Sequence, residues 1–542
     1  MTLRHAYPAY DVPSIDSLAD IVTLAAGPYA RDVAFEHADG RVMTYAELAA
    51  RVASLAGWLS LVPTTAGGLR ELPQGASASQ GPWVRIVGDD PELVATAFLA
   101  TAWVDGVAVL GPLEDVPVDV ALDAEALAKV LAGVAGEACV AGAPAKRIGR
   151  DLDAARCILG SSGTSGGAPK RVVLSERALV ADLLGGLALY AFPHGGRTVS
   201  VIPPWHGFGL VCDLLAPLAT GQTIGVPGDP LAALAQLPRF APTQLNVPPR
   251  FASALLALLE ARLAALRAQD GLGGGAREAP RPEEGCPRQA QMTPYGTAAP
   301  CGAAAASSPL HARAARAVTG GHLRKLLCGG AGLDADVSAG LRAFGIEAYG
   351  CYGLSECAPC VSVNRDAYHK DGSAGLPLAC NEVRIAPDGE ILVRGANVMA
   401  GYLGQAELTA RILRDGWLHT GDVGRLDADG FLWVEGRLDS LIVLADGTKV
   451  APEPWERALL ALDGVAQALV CGTPTPAGTA LAARVFAPDV VRSGRAVLER
   501  AIRAVALDGR HAIERVEFVE AALLTTPTGK LVRGLHDRKD HR

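Results

Sequence analysis

What the chain lacks narrows its class. It has no long run of lysine or arginine, and 57 acidic residues outnumber 49 basic ones, a net charge of −8. A non-specific nucleic-acid binder carries a basic surplus or patch, so nucleic acid is set aside as a partner. It has no uninterrupted bilayer-length apolar run. The longest candidate, LVATAFLATAWVDGVAVLGPL, contains Asp105 and two glycines, and a charge at the bilayer centre is costly. That stretch reads as a helix followed by a strand, with no membrane span. The opening residues, MTLRHAYPAYDVPSID, show no apolar core of the kind a secretory signal needs. The expected location is therefore cytoplasmic. Eleven cysteines include one CxxC pair, Cys357 and Cys360, with Cys351 upstream. No second pair or suitably spaced histidine accompanies it, so zinc is set aside and reduced, buried thiols are expected. Two nucleotide signatures are also missing, the GxxxxGK[ST] loop and the dinucleotide GxGxxG, as is a GGxS carrier-protein site.

What is present is core material. Half of the 542 residues are hydrophobic, and the 62 glycines accompany abundant alanine. Single cores stop growing well below this length, so more than one domain is expected. Residues 14–60 read as helices around a short strand, with Thr44 and Glu47 spaced as a capping box. WVRIV then reads as a strand and DPELVATAFLATAWV as a helix, and the alternation continues to about residue 260. This predicts an α/β fold of βα units on a largely parallel sheet. Residues 270–320, rich in Gly, Pro and Ala and without periodicity, read as a disordered insertion. Beyond about 380 the texture becomes β-rich, with Asp-Gly turns between apolar runs. The expected architecture is a large domain over 1–436, sheets flanked by helices plus a β-rich subdomain. A small mobile α+β domain follows over 437–542.

The most informative stretch is CILGSSGTSGGAPKRVVLSERAL, residues 157–179. A Ser/Thr/Gly-rich loop turns several backbone N–H groups toward one point and so cradles phosphate oxygens, while hydroxyls add donors. Taken alone it also reads as a flexible loop. It has companions, in order: VIPPWHGFGL, CGGAGL, YGCYGLSE, GWLHTGDVGRLDADGFLWVEGR, DGTKVAPEPWE and TTPTGKLVR. With SSGTSGGAPK and the N-terminal TYAEL, this series resembles the adenylate-forming (AMP-binding) enzymes across nearly the whole chain. YGLSECAPCVSVNRD, GSAGLPL and GEILVRGANVMAGYLGQAELTARILRDGWLHTGD look most like bacterial medium- and long-chain fatty acyl-CoA synthetases.

The resemblance implies a two-step reaction. ATP and a carboxylate give an acyl-adenylate and pyrophosphate, and a thiol then displaces AMP. An anionic carboxylate must meet an anionic triphosphate, so positive charge and fixed geometry are needed. By resemblance, Lys530 is the catalytic lysine, and His206 stands near the carboxylate at the mouth of the acyl pocket. Ser161, Ser162, Gly163, Thr164, Ser165, Gly166 and Lys170 hold phosphates. Thr164 and Glu356 hold Mg2+. Gly330, Ala331 and Tyr352 line the adenine pocket, and Asp422 and Arg437 meet ribose or phosphate. Asp439 is the hinge, and Gly447 lies where the thiol approaches. The implied substrates and cofactors are ATP, Mg2+, a small-molecule carboxylate (a fatty acid) and CoA, or the phosphopantetheine of an acyl carrier protein.

Each residue also has a plainer reading. Asp422 could cap a turn, Lys530 could be a solvated lysine, and Tyr352 could be core. His206 could be structural and Glu356 a surface carboxylate; it is their ordered company that argues for chemistry. The chain departs from the family pattern in one extra loop residue at Gly167–Ala168, in Arg171 for a glycine, and in Ser355 for a threonine. Three alternatives to a CoA ligase stand beside it. A carrier-protein acyltransferase keeps the adenylation step. A non-catalytic homologue would have lost Lys530 or Glu356. A P-loop NTPase fails on the missing GK[ST].

Overall fold

The computed structural model describes residues 10–64, 72–74, 76–136, 151–161, 170–229, 232–270, 308–366, 368–476, 478–490, 492–507 and 509–524. Local signals set the first elements. Thr44 accepts from the Glu47 backbone N–H and Glu47 caps Thr44 in return, starting the helix Tyr45–Leu59. Asp90 accepts from the N–H groups of Glu92 and Leu93, and Pro91 opens the helix Pro91–Trp103. That helix is buried on every side from Pro91 to Ala102, which accounts for the long apolar run.

The central six-stranded sheet runs in the order Gly401–Tyr402, Lys170–Ser175, Ala155–Ser161, Val107–Leu110, Trp83–Ile86, Val120–Leu122. The strands from residues 83 to 161 pair in parallel. Lys170–Ser175 instead returns antiparallel to Ala155–Ser161, with Ser161 opposite Lys170. A parallel return needs a crossover of a dozen or more residues, and the intervening loop is too short for one. The sheets are therefore mixed, not largely parallel. A second sheet joins Val33–His37 and Val42–Thr44 to Thr223–Val226 and Arg197–Val199. The N-terminal helices thus surround a two-strand hairpin where one short strand was expected.

A third sheet begins with Gln244–Val247, Lys325–Cys328 and Glu347–Gly353 in parallel and continues antiparallel into Cys360–Val363 and Leu376–Pro377. The β-rich texture beyond 380 is an antiparallel sheet of Asn381–Ile385, Glu390–Gly395, Leu413–Arg414, Trp417–Leu426 and Leu432–Arg437. Its Asp-Gly turns place Gly389 (φ +90°) and Gly430 (φ +84°) in the left-handed region.

The expected disordered span of 270–320 is too long. Ser308 caps, Pro309 opens and Gly320 (φ +80°) closes the helix Pro309–Thr319, which buries Ala314 and Ala315. Alanines masked its 3.6-residue period in the sequence. Residues 271–307 lie outside the described residues. Apolar side chains from Ile442 to Ile513, including Trp455, Leu459, Val470 and Leu481, form a core of their own. Among the described residues no helix is long and apolar enough to cross a membrane.

Candidate active site

The phosphate-loop residues Ser162, Gly163, Thr164, Ser165 and Gly166, with Gly167 and Ala168, lie outside the described residues, as does Lys530. The ends of that loop are fixed: Ser161 closes one strand and Lys170 opens its antiparallel neighbour. Lys170 Nζ stands 5.5 Å from the ring centroid of Tyr402. The Tyr402 hydroxyl donates to Glu356 Oε1 at 2.7 Å. Burial and the facing Glu356 charge push that phenol above its ordinary range. One line of side chains therefore joins Lys170 to the buried carboxylate of Glu356 through an aromatic ring. The neighbouring Arg171 pairs with the Asp115 carboxylate, which gives this departure a structural partner.

Glu356 lies in the short turn Ser355–Cys357. Its backbone carbonyl accepts from Met399 N at 2.8 Å. The following backbone is held by a fully buried carboxylate, Asp182, whose Oδ1 accepts from Cys360 N at 2.9 Å and Asn397 Nδ2 at 3.0 Å. Asn397 Nδ2 also reaches the carbonyls of Cys357 (2.9 Å) and Cys360 (2.7 Å). Burial drives the Asp182 carboxyl well above the usual carboxylate range, against these hydrogen bonds. Burial likewise pushes up the thiol of Cys357, which suits an inert core cysteine.

A second cluster contains four predicted residues. The Tyr352 hydroxyl donates to Asp422 Oδ2 at 2.6 Å, and Arg437 Nη1 donates to Asp422 Oδ1 at 3.0 Å. Arg437 Nε reaches Asp439 Oδ1 at 3.2 Å. Burial opposes the Arg437 charge, but the carboxylates of Asp422 and Asp439 outweigh it and hold the guanidinium above its ordinary value. Burial first, and the Asp422 charge second, push the Tyr352 phenol well above its own. Thr420 Oγ1 accepts from Asp422 N at 3.0 Å, and Glu390 Oε1 from Gly421 N at 2.9 Å. The TGD segment is thus an irregular stretch of the strand Trp417–Leu426, with Gly421 at φ +71°, that presents one carboxylate.

The His206 segment packs between the other motifs. A Cβ on Gly207 would stand 3.3 Å from both Leu159, on the strand entering the phosphate loop, and Pro359, just past Glu356. A Cβ on Gly329 would lie 2.9 Å from the Phe208 ring, and one on Gly209 only 2.2 Å from the Pro203 carbonyl oxygen. At Gly209, which meets backbone, only glycine fits, while a side chain at Gly207 or Gly329 would make the facing side chains shift. His206 is half-buried, and its Nδ1 accepts from Phe208 N at 3.3 Å. Asp213 straps the segment from below: its Oδ2 accepts from the N–H groups of Val201 (3.3 Å) and Ile202 (3.2 Å), and its Oδ1 from Asn246 Nδ2 (2.9 Å). Burial raises the Asp213 pKa to about 7.

Gly330 (φ +85°) and Ala331 form an exposed turn after Lys325–Cys328. A Cβ on the adjacent Gly332 would lie 3.4 Å from Arg457 Nη2, on the helix Pro452–Leu460. Gly447 (φ +82°) sits on its own exposed turn between Ile442–Val443 and Lys449–Val450. Sequence reasoning missed Tyr402, Asp182, Asn397 and Asp213. Tyr402 lay inside a quoted family-like segment, but nothing in its spacing pointed to Glu356. Among the described residues no group of three or more His, Cys, Asp or Glu could hold a metal ion.

Comparison with known proteins follows the same lines. The sequence profile of a family described as "AMP-binding enzyme" matches residues 109–403. A long-chain-fatty-acid–CoA ligase of Mycobacterium bovis is 42% identical over 164 residues, 30% of this chain and 27% of that protein. A feruloyl-CoA synthase of Amycolatopsis sp is 38% identical over 225 residues, 39% of this chain and 45% of the relative. The chain thus spans less than half the length of either. Among solved structures, an anthranilate CoA ligase in complex with anthranoyl-AMP superposes with TM-score 0.69 at 18% identity, covering 97% of this chain and 98% of the other. An O-succinylbenzoate CoA synthetase from Bacillus subtilis, in complex with ATP and magnesium ion, gives 0.65 at 21% identity, with 95% and 98% covered. At these identities the superpositions establish the fold.

Proposed function

The chain belongs to the AMP-binding enzyme family, and we propose that it activates a carboxylic acid with ATP and passes the acyl group to CoA. The observation that carries this reading is the line of contacts from Lys170, at the far end of the Ser/Gly-rich loop, through Tyr402 to the buried carboxylate of Glu356. In the first step a carboxylate oxygen attacks the α-phosphorus of ATP, the bond to the β-phosphate breaks, and pyrophosphate leaves. In the second a thiol loses its proton and attacks the acyl carbon, and AMP departs. Ser161 to Gly166 and Lys170 hold the departing phosphates. Glu356, with one oxygen oriented by Tyr402, and Thr164 suit Mg2+, a hard ion that takes one or two protein oxygens and completes its shell with phosphate and water. Bound there, the ion spreads the charge of the leaving pyrophosphate.

Asp422 accepts from ribose hydroxyls, exchanging them for part of its present pairing with Tyr352 and Arg437. Gly330 and Ala331 line the adenine face, and His206 stands at the acyl carboxylate. Lys530 bridges carboxylate and α-phosphate, carried by a small mobile domain over 437–542 that turns about Asp439. The separate core from Ile442 to Ile513 supports that division. Gly447 lies where the thiol approaches. We assign a fatty acid as the substrate and CoA as the thiol, on the fatty acyl-CoA ligase among the relatives. Transfer to an acyl carrier protein is the second reading. The reading goes with a cytoplasmic location, where ATP and CoA are supplied.

The test is pyrophosphate release from Mg-ATP with a panel of straight-chain and aryl carboxylates, with and without CoA. Acid-dependent release is expected, completed to a thioester when CoA is present. No release with any acid from folded protein refutes the reading. A Lys530→Ala variant is expected to lose adenylation while still forming thioester from a preformed adenylate.

A further inference from the structure

Both oxygens of the Asp422 carboxylate are engaged. The Tyr352 hydroxyl donates to Oδ2 at 2.6 Å, and Arg437 Nη1 donates to Oδ1 at 3.0 Å. Ribose hydroxyls that donate to this carboxylate compete with these two groups. What a donor keeps after letting go decides which of them yields. Arg437 has a second carboxylate, with Asp439 Oδ1 at 3.2 Å from its Nε. A guanidinium presents several N–H donors in one plane and can hold two carboxylates at once. Its charge stays paired when it releases Asp422.

The two carboxylates belong to different parts of the fold. Asp422 lies on the strand Trp417–Leu426, opposite Arg437 at the end of Leu432–Arg437, and its side chain is 13% exposed. Asp439 lies in the short turn Leu438–Ser440 that follows, with a side chain 62% exposed. That turn is tied forward. Ser440 Oγ donates to Glu453 Oε1 at 2.9 Å, in the first turn of the helix Pro452–Leu460. Trp455 and Leu459 of the same helix belong to the separate core from Ile442 to Ile513. Arg437 therefore stands where the β-rich sheet ends and the small unit begins, with one hydrogen bond to each side. Room for the guanidinium comes from Gly421 (φ +71°), where a Cβ would stand 3.1 Å from Nη2.

We propose that Asp439 tunes nucleotide affinity through Arg437, which is shared between the ribose carboxylate and the hinge carboxylate. When ribose hydroxyls take Asp422 Oδ1, Asp439 keeps the guanidinium, so the hinge pair lowers the cost of binding. Linkage is reciprocal, so bound nucleotide strengthens the Arg437–Asp439 pair by the same factor. Asp439 touches no substrate in this scheme and is a positioning residue. The inference rests on the reading of Asp422 as the ribose carboxylate.

The experiment measures Kd for Mg-ATP by titration calorimetry, without acid or CoA, in wild type, Asp439→Asn and Asp439→Glu. Asp439→Asn leaves Arg437 to Asp422 alone and is expected to raise Kd about 2–5-fold, as one exposed ion pair contributes. The direction is diagnostic, because by charge alone the loss of a carboxylate favours an anionic ligand. Asp439→Glu keeps the carboxylate and is expected to bind as wild type does. The same substitutions are then made in an Arg437→Gln background, where Asp439→Asn is expected to leave Kd unchanged because its route to Asp422 is cut. Arg437→Lys is a second background with the same expectation, since one ammonium does not reproduce the planar fork; circular dichroism verifies folding of each. An unchanged or lower Kd in Asp439→Asn, or an equal rise with and without Arg437, overturns the proposal and leaves adenylation standing. No ATP binding by folded wild type overturns both.

Discussion

Removing one oxygen at Tyr402 tests whether Glu356 is a metal-holding carboxylate. In Tyr402→Phe the ring stays, so Lys170 keeps the aromatic face 5.5 Å from its ammonium. Only the 2.7 Å hydrogen bond to Glu356 Oε1 is lost. A hydrogen bond to a charged group contributes about 1.5–3 kcal/mol, or roughly 10–150-fold at 1.4 kcal/mol per decade. Partners that orient a metal-binding carboxylate alter affinity or activity by about 10–100-fold when removed. The two routes agree on one to two decades. The assay is a Mg2+ titration of pyrophosphate release at saturating acid, with circular dichroism to verify folding. The half-saturating Mg2+ concentration is expected to rise by at least about tenfold. A folded variant whose Mg2+ dependence stays within about twofold of wild type would refute the assignment of Glu356, since RT ln 2 is far below any hydrogen bond to a charge.

Two further outcomes concern stability. Arg156 is buried with both of its carboxylate partners, Glu176 (Nε to Oε2, 2.8 Å) and Asp105 (Nη2 to Oδ1, 2.8 Å). Arg156→Met leaves two buried charges without their cation and is expected to lower unfolding free energy by about 3–5 kcal/mol; an unchanged urea midpoint contradicts it. Asp213 titrates at about 7 in the fold, against 3.8 for an ordinary aspartate. Because the folded value is the higher one, its contribution is complete below about pH 4. It falls by about 1.4 kcal/mol per unit as pH rises toward 7. Asp213→Asn is expected to flatten the pH dependence of the urea midpoint across that window, and an identical slope rules the assignment out.

Motif order made the family legible and named the candidate residues, while the contacts that hold those residues were not legible. Lys170, Glu356, Tyr352, Asp422 and Arg437 stand in segments whose residue types are tied to chemistry, so they could be named before any fold existed. The structure then pairs Tyr352, Asp422 and Arg437 directly. Tyr402 joins Glu356 across 46 residues, and Asp182 reaches Asn397 across 215. No spacing rule spans such separations. The helix Pro309–Thr319 was lost for a different reason. Its period is carried by alanines, which bury too little to stand out from the Gly/Pro/Ala-rich residues before it.

The hidden supports also share a physical cause. Segments around the site interrupt their ladders: the register between Glu347–Gly353 and Cys360–Val363 shifts at Tyr352/Gly353, where a Cβ on Gly353 would lie 1.9 Å from the Pro359 carbonyl oxygen, and Ala358 holds a left-handed φ of +56°. Their N–H groups must be satisfied by something other than a neighbouring strand. A carboxylate accepts without donating and can bind several such groups at once. Asp182 does this for the segment after Glu356, and Asp213 for the segment before His206. Both are buried, and burial raises both pKa values, so each opposes stability at neutral pH while fixing a loop that motif residues depend on. Buried aspartates at these two positions are therefore better explained by loop placement than by fold stability. Asp213→Asn should disturb KM for ATP or acid more than it disturbs folding, because Asp213 accepts at both oxygens and an amide keeps only one acceptor, setting a donor against the loop or Asn246.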